Sequence, residues 1–223
     1  VDGYVRNSIE NPLRVNGINL NGTLNVLEAA RILNDKNQFE RLVFSSTCSV
    51  YGNKNKPVNE GDELKPNNPY AASKAAAELY CYSYYKTYNI PVAIMRLFNT
   101  YGPKQSKDVI ALFITKALKN EDIKLEGGGL QKREFNFVND IVEAFLIMGK
   151  NEKAIGNVFN FGSGKELSIK EIAQKIIRYS NSKSKIINAP DRPGQAAKLC
   201  CDNSKAKKLF NWEPKVSIEE GLK

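Results

Sequence analysis

Residues 41–52 read Arg41-Leu-Val-Phe-Ser-Ser-Thr-Cys-Ser-Val-Tyr-Gly52, a short apolar run that passes into hydroxyl-bearing side chains. Uninterrupted apolar runs of this length are typical of parallel strands buried on both faces. Similar runs from Pro91 to Phe98 and from Asn157 to Phe161 predict two more strands. The apolar spacing predicts helices at residues 20–33, 69–88, 109–118, 141–148 and 169–179. Strands that alternate with helices indicate an α/β fold on a parallel sheet.

Turn and capping residues mark the expected ends of several helices. Pro69 suits the first turn of the long second helix. Asp140 is expected to cap the helix predicted at residues 141–148. Ser168 and Ser217 each stand three residues before a glutamate, which is the spacing of a capping box. The run Gly127-Gly-Gly129 lies between two predicted strands and opens no helix, so we interpret it as a turn.

The composition indicates a globular chain rather than a membrane or nucleic-acid-binding protein. No apolar run reaches the length of about eighteen residues that a transmembrane helix needs. The net charge of +9 is compatible with a lysine-rich solvated surface or with attraction for an anionic ligand such as a nucleotide. No block of five or six consecutive basic residues is present, so we expect no nucleic-acid partner.

The cysteine and histidine content restricts the chemistry. The cysteines, Cys48, Cys81, Cys200 and Cys201, form neither a zinc pattern nor a disulfide framework, which predicts a reduced, cytoplasmic setting without a metal site. The sequence contains no histidine, which excludes a Ser-His-Asp site, a Cys-His site and an H-E-x-x-H zinc site. Acid–base catalysis must therefore use Tyr, Lys, Asp, Glu or Cys.

A tyrosine–lysine pair is the first catalytic candidate. Tyr70 and Lys74 are four residues apart in a predicted helix, so they share one face. Tyrosine has an ordinary pKa near 10, and we expect a nearby ammonium to lower that pKa. Tyr82 and Lys86 repeat the spacing, but only Tyr70 follows a strand that ends in hydroxyls. The sequence therefore favours Tyr70 as a base that removes a hydroxyl proton while hydride leaves the same carbon.

Six segments, in order along the chain, resemble the extended short-chain dehydrogenase/reductases, in particular the NAD-dependent epimerase/dehydratase family. The matching segments are Asn19-Leu-Asn-Gly-Thr23, Ser45-Ser-Thr-Cys-Ser-Val-Tyr-Gly52, Asn68-Pro-Tyr-Ala-Ala-Ser-Lys74, Arg96-Leu-Phe-Asn-Thr-Tyr-Gly-Pro103, residues 129–140 and Ala189-Pro-Asp-Arg-Pro-Gly194. Their combined order and spacing is far more specific than any one of them.

The resemblance implies a role for each matching residue. Tyr70 would be the catalytic base, Lys74 would hold the nicotinamide ribose, and Thr47 would bind the reacting sugar hydroxyl. NAD is the implied cofactor, and its other implied contacts are Asn19, Ser45 and Phe98. The implied contacts of a UDP-sugar substrate are Asn99, Val109, Arg133 and Arg192. The guanidinium forks of both arginines suit a diphosphate.

The resemblance also implies the architecture. We expect a truncated Rossmann-type doubly wound parallel sheet with a small C-terminal α/β substrate-binding lobe. Residues 1–101 and 134–161 would form the NAD-binding domain, whereas residues 102–133 and 162–223 would form the lobe. No G-x-x-G-x-x-G occurs in the sequence, so the pyrophosphate-binding segment of the family is expected to be missing. A homodimer is a further family expectation.

Several reactions share the tyrosine and lysine. Family dehydratases resemble T-D-E-V-Y-G and glucuronate decarboxylases resemble T-S-E-V-Y-G, whereas this chain reads Thr47-Cys-Ser-Val-Tyr-Gly52. Without acidic residues there, epimerisation at C4 of a UDP-glucose or UDP-galactose type sugar is the simplest outcome. Decarboxylation of UDP-glucuronate stays open because Asn99-Thr-Tyr-Gly-Pro103 resembles the decarboxylases, and a sugar 4,6-dehydratase of the same superfamily also stays open. A dehydrogenase that releases NADH and an inactive sugar-binding fragment also stay open.

Overall fold

The computed structural model describes residues 5–190 and 199–223. The strands are β1 (Leu42–Thr47), β2 (Val92–Leu97), β3 (Thr100–Tyr101), β4 (Ile123–Glu126), β5 (Lys132–Glu134), β6 (Asn136–Phe137), β7 (Val158–Phe161), β8 (Glu166–Ser168) and β9 (Ile186–Ala189). The helices are α1 (Val5–Glu10), α2 (Pro12–Asn16), α3 (Gly22–Asp35), α4 (Pro69–Tyr88), α5 (Val109–Leu118), α6 (Val138–Lys150), α7 (Ile169–Tyr179), α8 (Ser204–Phe210) and α9 (Ile218–Gly221). A π-helical turn (Gly17–Asn21) joins α2 to α3.

The central sheet is parallel and has the strand order β1-β2-β7. Leu42 pairs with Val92, and Leu97 pairs with Phe161 at the other end of the sheet. Helices α3 and α4 pack against one face of this sheet, and α6 and α8 pack against the other. The carboxyl ends of all three strands therefore meet at one edge, which is where ligands bind in open α/β sheets.

Helix α4 is the element that carries the predicted catalytic pair. The Asn68 side chain accepts the Ala71 N–H at 2.9 Å, and Pro69 occupies the first turn. The helix ends at Asn89 in the left-handed region, with φ of 54°. Its buried face is rich in alanine, and small side chains let a helix lie close to a sheet. That close approach brings the polar side chains of the same face to the sheet edge.

A second cluster of elements follows the central sheet. Strands β4 and β9 pair in parallel, and β5 and β8 pair antiparallel. Helices α5 and α7 cover an apolar core that includes Ile110, Phe113, Ile123, Leu125 and Ile172. These elements thus form a second apolar core, and the predicted division of the chain into two domains stays a prediction.

The predicted α/β class with a parallel sheet and helices is confirmed. Both capping boxes are present, at Ser168 with Glu171 and at Ser217 with Glu220. The capping role predicted for Asp140 is wrong, because α6 begins two residues earlier at Val138. The buried Asp140 carboxylate instead accepts N–H groups of residues 215 and 216, at 3.1 Å each, and so ties the C-terminal segment to α6. Among the described helices, none is both long and apolar enough to cross a bilayer.

Candidate active site

The end of β1 supplies the hydroxyl groups of the site. Thr47 is the last residue of the strand, and its side chain accepts the Ser49 N–H at 3.2 Å. This bond opens the short 3-10 turn Cys48–Tyr51 and fixes the Thr47 hydroxyl at the carboxyl edge of the sheet. Thr47 itself is buried, so its hydroxyl is presented by a rigid element rather than by a loop.

Tyr70 lies in the first turn of α4, close enough to Thr47 for that side chain to lower the pKa of the Tyr70 hydroxyl. The pKa of Tyr70 is nevertheless raised, because burial disfavours the phenolate and outweighs the effect of Thr47. The neighbouring acidic groups Cys48 and Asp108 raise the pKa of Tyr70 further. The lowered pKa that we expected from the lysine is therefore wrong for this chain, because burial dominates and Lys74 is not among the groups that shift it.

Lys74 is almost fully buried, with 1% of its surface exposed. Its ammonium donates a hydrogen bond to the Ser45 carbonyl and lies 4.2 Å from the centre of the Phe44 ring. Burial lowers the pKa of Lys74 to about 8, although the charges of Cys81 and Glu78 oppose that shift. An ammonium has three N–H donors, and the Ser45 carbonyl satisfies one of them. The remaining donors suit the hydroxyls of a ribose, so this end of the site fits a nicotinamide nucleotide.

The other predicted cofactor contacts surround this lysine. Asn19 is buried, and its side-chain amide donates to the Ser73 hydroxyl at 3.2 Å, next to Lys74 in α4. Ser45 precedes the strand end and is half-buried. Phe98 follows β2 and packs in an apolar cluster with Cys48 and other core residues. The structure therefore brings Asn19, Ser45 and Phe98 to the same sheet edge, while their contact with NAD remains a prediction.

The predicted substrate residues lie mainly on the second group of elements. The Asn99 amide donates to the Glu134 carbonyl at 2.9 Å, and Arg133 donates to the neighbouring Lys132 carbonyl at 2.8 Å. Burial lowers the pKa of Arg133. Val109 is half-buried at the start of α5. Arg192 lies outside the described residues, so its prediction has no structural counterpart.

A buried ion pair behind the site was not predicted from the sequence. The Arg96 guanidinium contacts both carboxylate oxygens of Glu78, with a shortest distance of 2.7 Å, and both side chains are about 95% buried. Arg96 also donates to the Tyr51 hydroxyl at 2.9 Å, and Tyr51 donates to the Asn160 side chain at 2.7 Å. The Ser46 hydroxyl donates to Glu78 as well. This network joins α4 to all three strands of the central sheet.

A second buried carboxylate, Glu134, anchors the elements that carry the substrate residues. It accepts the Cys201 N–H and the Gly164 N–H, the latter at 3.2 Å. The Ser163 N–H and the Cys200 thiol lie close enough to lower the pKa of Glu134, although burial raises it. A Cβ on Gly162 would lie 2.6 Å from this carboxylate, so glycine is required for the approach. The sequence did not reveal this role of Glu134, because its partners Gly164 and Cys201 lie far away along the chain.

Comparison with known proteins identifies the family of this chain. A family model described as GDP-mannose 4,6 dehydratase matches residues 2–223. A putative UDP-glucose 4-epimerase of Methanocaldococcus jannaschii is 37% identical over 98% of this chain and 71% of its own length. The human dTDP-D-glucose 4,6-dehydratase is 36% identical over 92% of this chain and 60% of its own length.

The solved structures agree with these relatives. The UDP-glucose 4-epimerase of Thermus thermophilus in complex with NAD has a TM-score of 0.91 at 29% identity. That match covers 100% of this chain and 73% of the Thermus chain. The predicted cofactor, NAD, is thereby confirmed at the level of the family. With the parallel sheet, the Tyr70–Lys74 helix and these matches together, the chain belongs to the NAD-dependent epimerase/dehydratase family.

Proposed function

We propose that the protein epimerises a UDP-hexose at C4 by transient oxidation to a 4-keto sugar, with NAD as the hydride carrier. The observation that carries this proposal is the proximity of Tyr70 to Thr47 at the carboxyl edge of the sheet, where Thr47 lowers the pKa of the Tyr70 hydroxyl. The Lys74 ammonium lies one helical turn further along the same face of α4. The proposed proton acceptor Tyr70 and the buried Lys74 ammonium thus lie on helix α4, and the Thr47 hydroxyl lies at the end of strand β1.

Each of these groups has a separate task in the proposed reaction. The Thr47 hydroxyl orients the C4 hydroxyl of the sugar, and Tyr70 receives its proton as the C4–H bond breaks. When bound, NAD would supply the hydride acceptor, and Lys74 would hold its ribose. Because burial raises the pKa of Tyr70, positive charge near its hydroxyl would favour the phenolate that accepts this proton.

The residues after Thr47 favour epimerisation over elimination of water. Burial raises the pKa of the Cys48 thiol to about 12, so Cys48 stays neutral and is a poor base at neutral pH. Ser49 is not acidic, and its N–H is held by Thr47. Glu134 lies close enough to Cys48 to raise the pKa of its thiol. The Glu134 carboxylate already accepts the backbone N–H groups of Cys201 and Gly164. Return of the hydride to the other face of C4 is then the simplest completion of the cycle.

The proposal extends to the setting of the enzyme. Residues 1–101 and 134–161 would bind NAD, and residues 102–133 and 162–223 would bind the nucleotide sugar. The diphosphate would contact Arg133 and Arg192, and Asn99 and Val109 would border the sugar. A cytoplasmic homodimer is part of the same proposal and rests on the family resemblance.

Proton NMR of UDP-galactose, incubated with NAD and the full-length protein, tests the proposal. We expect UDP-glucose to appear while the absorbance at 340 nm stays flat, because NAD is regenerated in each cycle. UDP-N-acetylgalactosamine serves as the parallel substrate and reveals whether the N-acetyl form is preferred. A 6-deoxy product, release of CO₂ from UDP-glucuronate, or growth of the 340 nm absorbance would each replace the epimerase assignment. UDP-sugar binding without any product would indicate a binding protein.

A further inference from the structure

A row of polar side chains crosses the α4 face of the central sheet at a single register level. Ser46 pairs with Arg96 in the neighbouring strand, and Arg96 pairs with Asn160 in the third strand. Residues paired in this way point to the same face of a sheet. Two residues earlier, Phe44 and Ile94 lie on that face and pack in the apolar cluster of α3 and α4. The polar row is therefore the last level that α4 meets before the carboxyl ends of the strands.

Glu78 is the side chain of α4 that contacts this row. The Ser46 hydroxyl donates to one carboxylate oxygen of Glu78, and the Arg96 guanidinium contacts both oxygens, with a shortest distance of 2.7 Å. Glu78 and Ser46 are each 4% exposed, so water does not compete for these bonds. Two adjacent strands thus hold one carboxylate of the helix.

Strand β1 also contacts the Lys74 ammonium, one helical turn before Glu78. Lys74 donates to the carbonyl of Ser45, which directly precedes Ser46 in the strand. Lys74 and Glu78 are four residues apart and share the buried face of α4. Two consecutive strand residues are therefore joined to two side chains of the helix. A slide of α4 by one residue, about 1.5 Å, would disturb both contacts together.

The apolar packing of α4 gives little resistance to such a slide. Its buried face includes Ala71, Ala75 and Ala77, whose methyl groups allow a close approach to the sheet. Helices keep their position on a neighbour by packing ridges of side chains into grooves, and methyl groups form low ridges. The polar contacts of Glu78 are then the ones that fix the helix along its axis.

We propose that Ser46 and Glu78 are positioning residues that hold the Lys74 ammonium in place for the ribose of the cofactor. The inference rests on the proposed function, because it takes Lys74 as the group that holds the ribose, but it does not depend on which sugar reacts. Ser46 fixes Glu78 to β1, and Glu78 fixes the helical turn that carries Lys74. A misplacement of about 1 Å can cost about 10²-fold in rate, so this support matters for turnover.

Glu78 also supplies the negative charge beside the lysine. The acidic neighbours of Lys74 are Glu78 and Cys81 on the same helix, and Arg96 of β2 faces Glu78 rather than the lysine. Burial raises the pKa of Cys81 to about 12, so it stays a neutral thiol. From β1, the Ser45 carbonyl faces the ammonium and does not titrate. Around neutral pH, Glu78 is therefore the neighbour whose charge favours the protonated lysine.

Fluorescence titration measures the dissociation constant of NADH at a series of pH values, on the full-length protein without any sugar. Calorimetry measures the dissociation constant of UDP in parallel. Ser46→Ala removes the hydroxyl but keeps the ion pair of Glu78 with Arg96. The matched control is Ser184→Ala, which removes another buried serine hydroxyl, bonded to Ser182 at 2.8 Å outside the central sheet.

We expect the native affinity for NADH to fall as the pH rises through about 8, where Lys74 loses its proton. Ser46→Ala should weaken NADH binding by about three- to tenfold at pH 7, the net effect of one lost hydrogen bond. Its affinity for UDP should be unchanged, and Ser184→Ala should leave NADH binding as it is. Glu78→Gln should move the fall in affinity to lower pH, because its neutral side chain no longer favours the ammonium.

Lys74→Met separates this inference from the function on which it rests. Native NADH affinity in Lys74→Met would overturn the role of the lysine itself, and the inference with it. A loss in Lys74→Met without a loss in Ser46→Ala would overturn the positioning role alone. Because no sugar is turned over, these results do not depend on whether the product is an epimer.

Two further results would overturn the positioning role. The first is an equal loss of NADH and UDP affinity in Ser46→Ala, which would show a general loosening of the fold. The second is a folded Glu78→Gln protein whose NADH affinity falls at the same pH as in the native protein. If Glu78→Gln does not fold, the comparison of NADH with UDP in Ser46→Ala decides the question.

Discussion

The catalytic edge and the substrate-facing elements hold their polar side chains in different ways. At the catalytic edge, Glu78 and Arg96 are buried and satisfied by other side chains on regular elements. On the substrate side, Asn99 and Arg133 bond to backbone carbonyls, and Glu134 accepts backbone N–H groups. Asn99 lies in the segment between β2 and β3, whereas Arg133 and Glu134 lie on the short strand β5. The proposed function therefore predicts that catalysis depends on side-chain pairs on α4 and β2, and that substrate choice depends on elements held through backbone contacts.

The same contrast fits the spread of activities among the relatives. The named relatives include an epimerase and a dehydratase, although both align with most of this chain. The family resemblance implies that these reactions share the tyrosine and lysine, so the catalytic edge is expected to be common to them. Differences between family members are then expected in short segments such as Thr47–Ser49 and the stretch before α5. Substitutions at Tyr70, Glu78, Lys74 and Glu134 test this separation of catalysis from substrate choice, in order of decreasing expected effect.

Tyr70→Phe should have the largest effect on turnover. It removes the proton acceptor but keeps the ring, so we expect the rate to fall by about 10²- to 10⁴-fold, the usual contribution of a general base. UDP-sugar affinity should stay within about twofold, because the substrate side is untouched. Tyr82→Phe is the matched control, since Tyr82 has the same spacing to a lysine but lies exposed. A Tyr70→Phe rate within tenfold of the native rate would contradict the assignment.

Glu78→Gln should have the largest effect on stability. It leaves the Arg96 guanidinium buried without a counter-charge, which costs about 3–5 kcal/mol. Glu143→Gln is the control, because Glu143 pairs with Lys215 at 2.8 Å on the surface. Exposed pairs contribute about 0–1 kcal/mol. Urea unfolding measures the loss of unfolding free energy in each variant. Equal losses would show that the buried network does not stabilise the catalytic edge.

Lys74→Met should stabilise the fold while it abolishes turnover. Burial lowers the pKa of Lys74 from 10.5 to about 8. At 1.36 kcal/mol per unit of pKa, the buried charge costs about 3 kcal/mol, part of which the Ser45 and Phe44 contacts offset. We therefore expect the free energy of unfolding to rise by about 1–3 kcal/mol at pH 7.

The pH dependence of this gain follows from the direction of the shift. Between about pH 8 and pH 10.5, the native protein binds fewer protons at Lys74 than the unfolded chain does, so native stability rises with pH. The advantage of Lys74→Met is complete below about pH 8 and disappears by about pH 10.5. Urea titrations at pH 7 and pH 10 measure it. A gain of equal size at both values would exclude Lys74 as its source.

Glu134→Gln should have the smallest effect and should act on binding. The charge-assisted bonds to the Gly164 and Cys201 N–H groups become weaker, and each such bond contributes about 1–3 kcal/mol. We expect KM for the UDP-sugar to rise about three- to tenfold, with kcat changed by less than twofold, because Tyr70 and Thr47 are untouched. A fall in kcat at constant KM would place Glu134 on the catalytic side of the comparison.

The sequence predicts the regular elements better than the electrostatics. The strand ending at Thr47, the helix from Pro69 and both capping boxes depend on local patterns, and all are present. The pKa of Tyr70 moves in the opposite direction to our expectation because burial is a property of the packed molecule. Lys74 points to the Ser45 carbonyl, a contact that joins residues 29 positions apart. Spacing along a helix could not reveal it.

The buried carboxylates of Glu78 and Asp140 show which features the sequence alone does not predict. Glu78 stands four residues after Lys74, so its position on the buried face could have been anticipated. Its partner Arg96 lies in an apolar strand, where a cation is unexpected without knowledge of the network. Asp140 was assigned to a cap because it preceded an apolar run, whereas Phe137 and Val138 already begin the turn. Contacts between distant segments decided each of these outcomes.

The central claim is that hydride leaves C4 of the sugar and returns to C4. UDP-galactose deuterated at C4, incubated with NAD and the full-length protein, tests it directly by NMR and mass spectrometry of the products. The account predicts UDP-glucose that retains deuterium at C4, with no net reduction of NAD. Deuterium found at C6 of a 6-deoxy sugar, or in accumulated reduced cofactor, would contradict it.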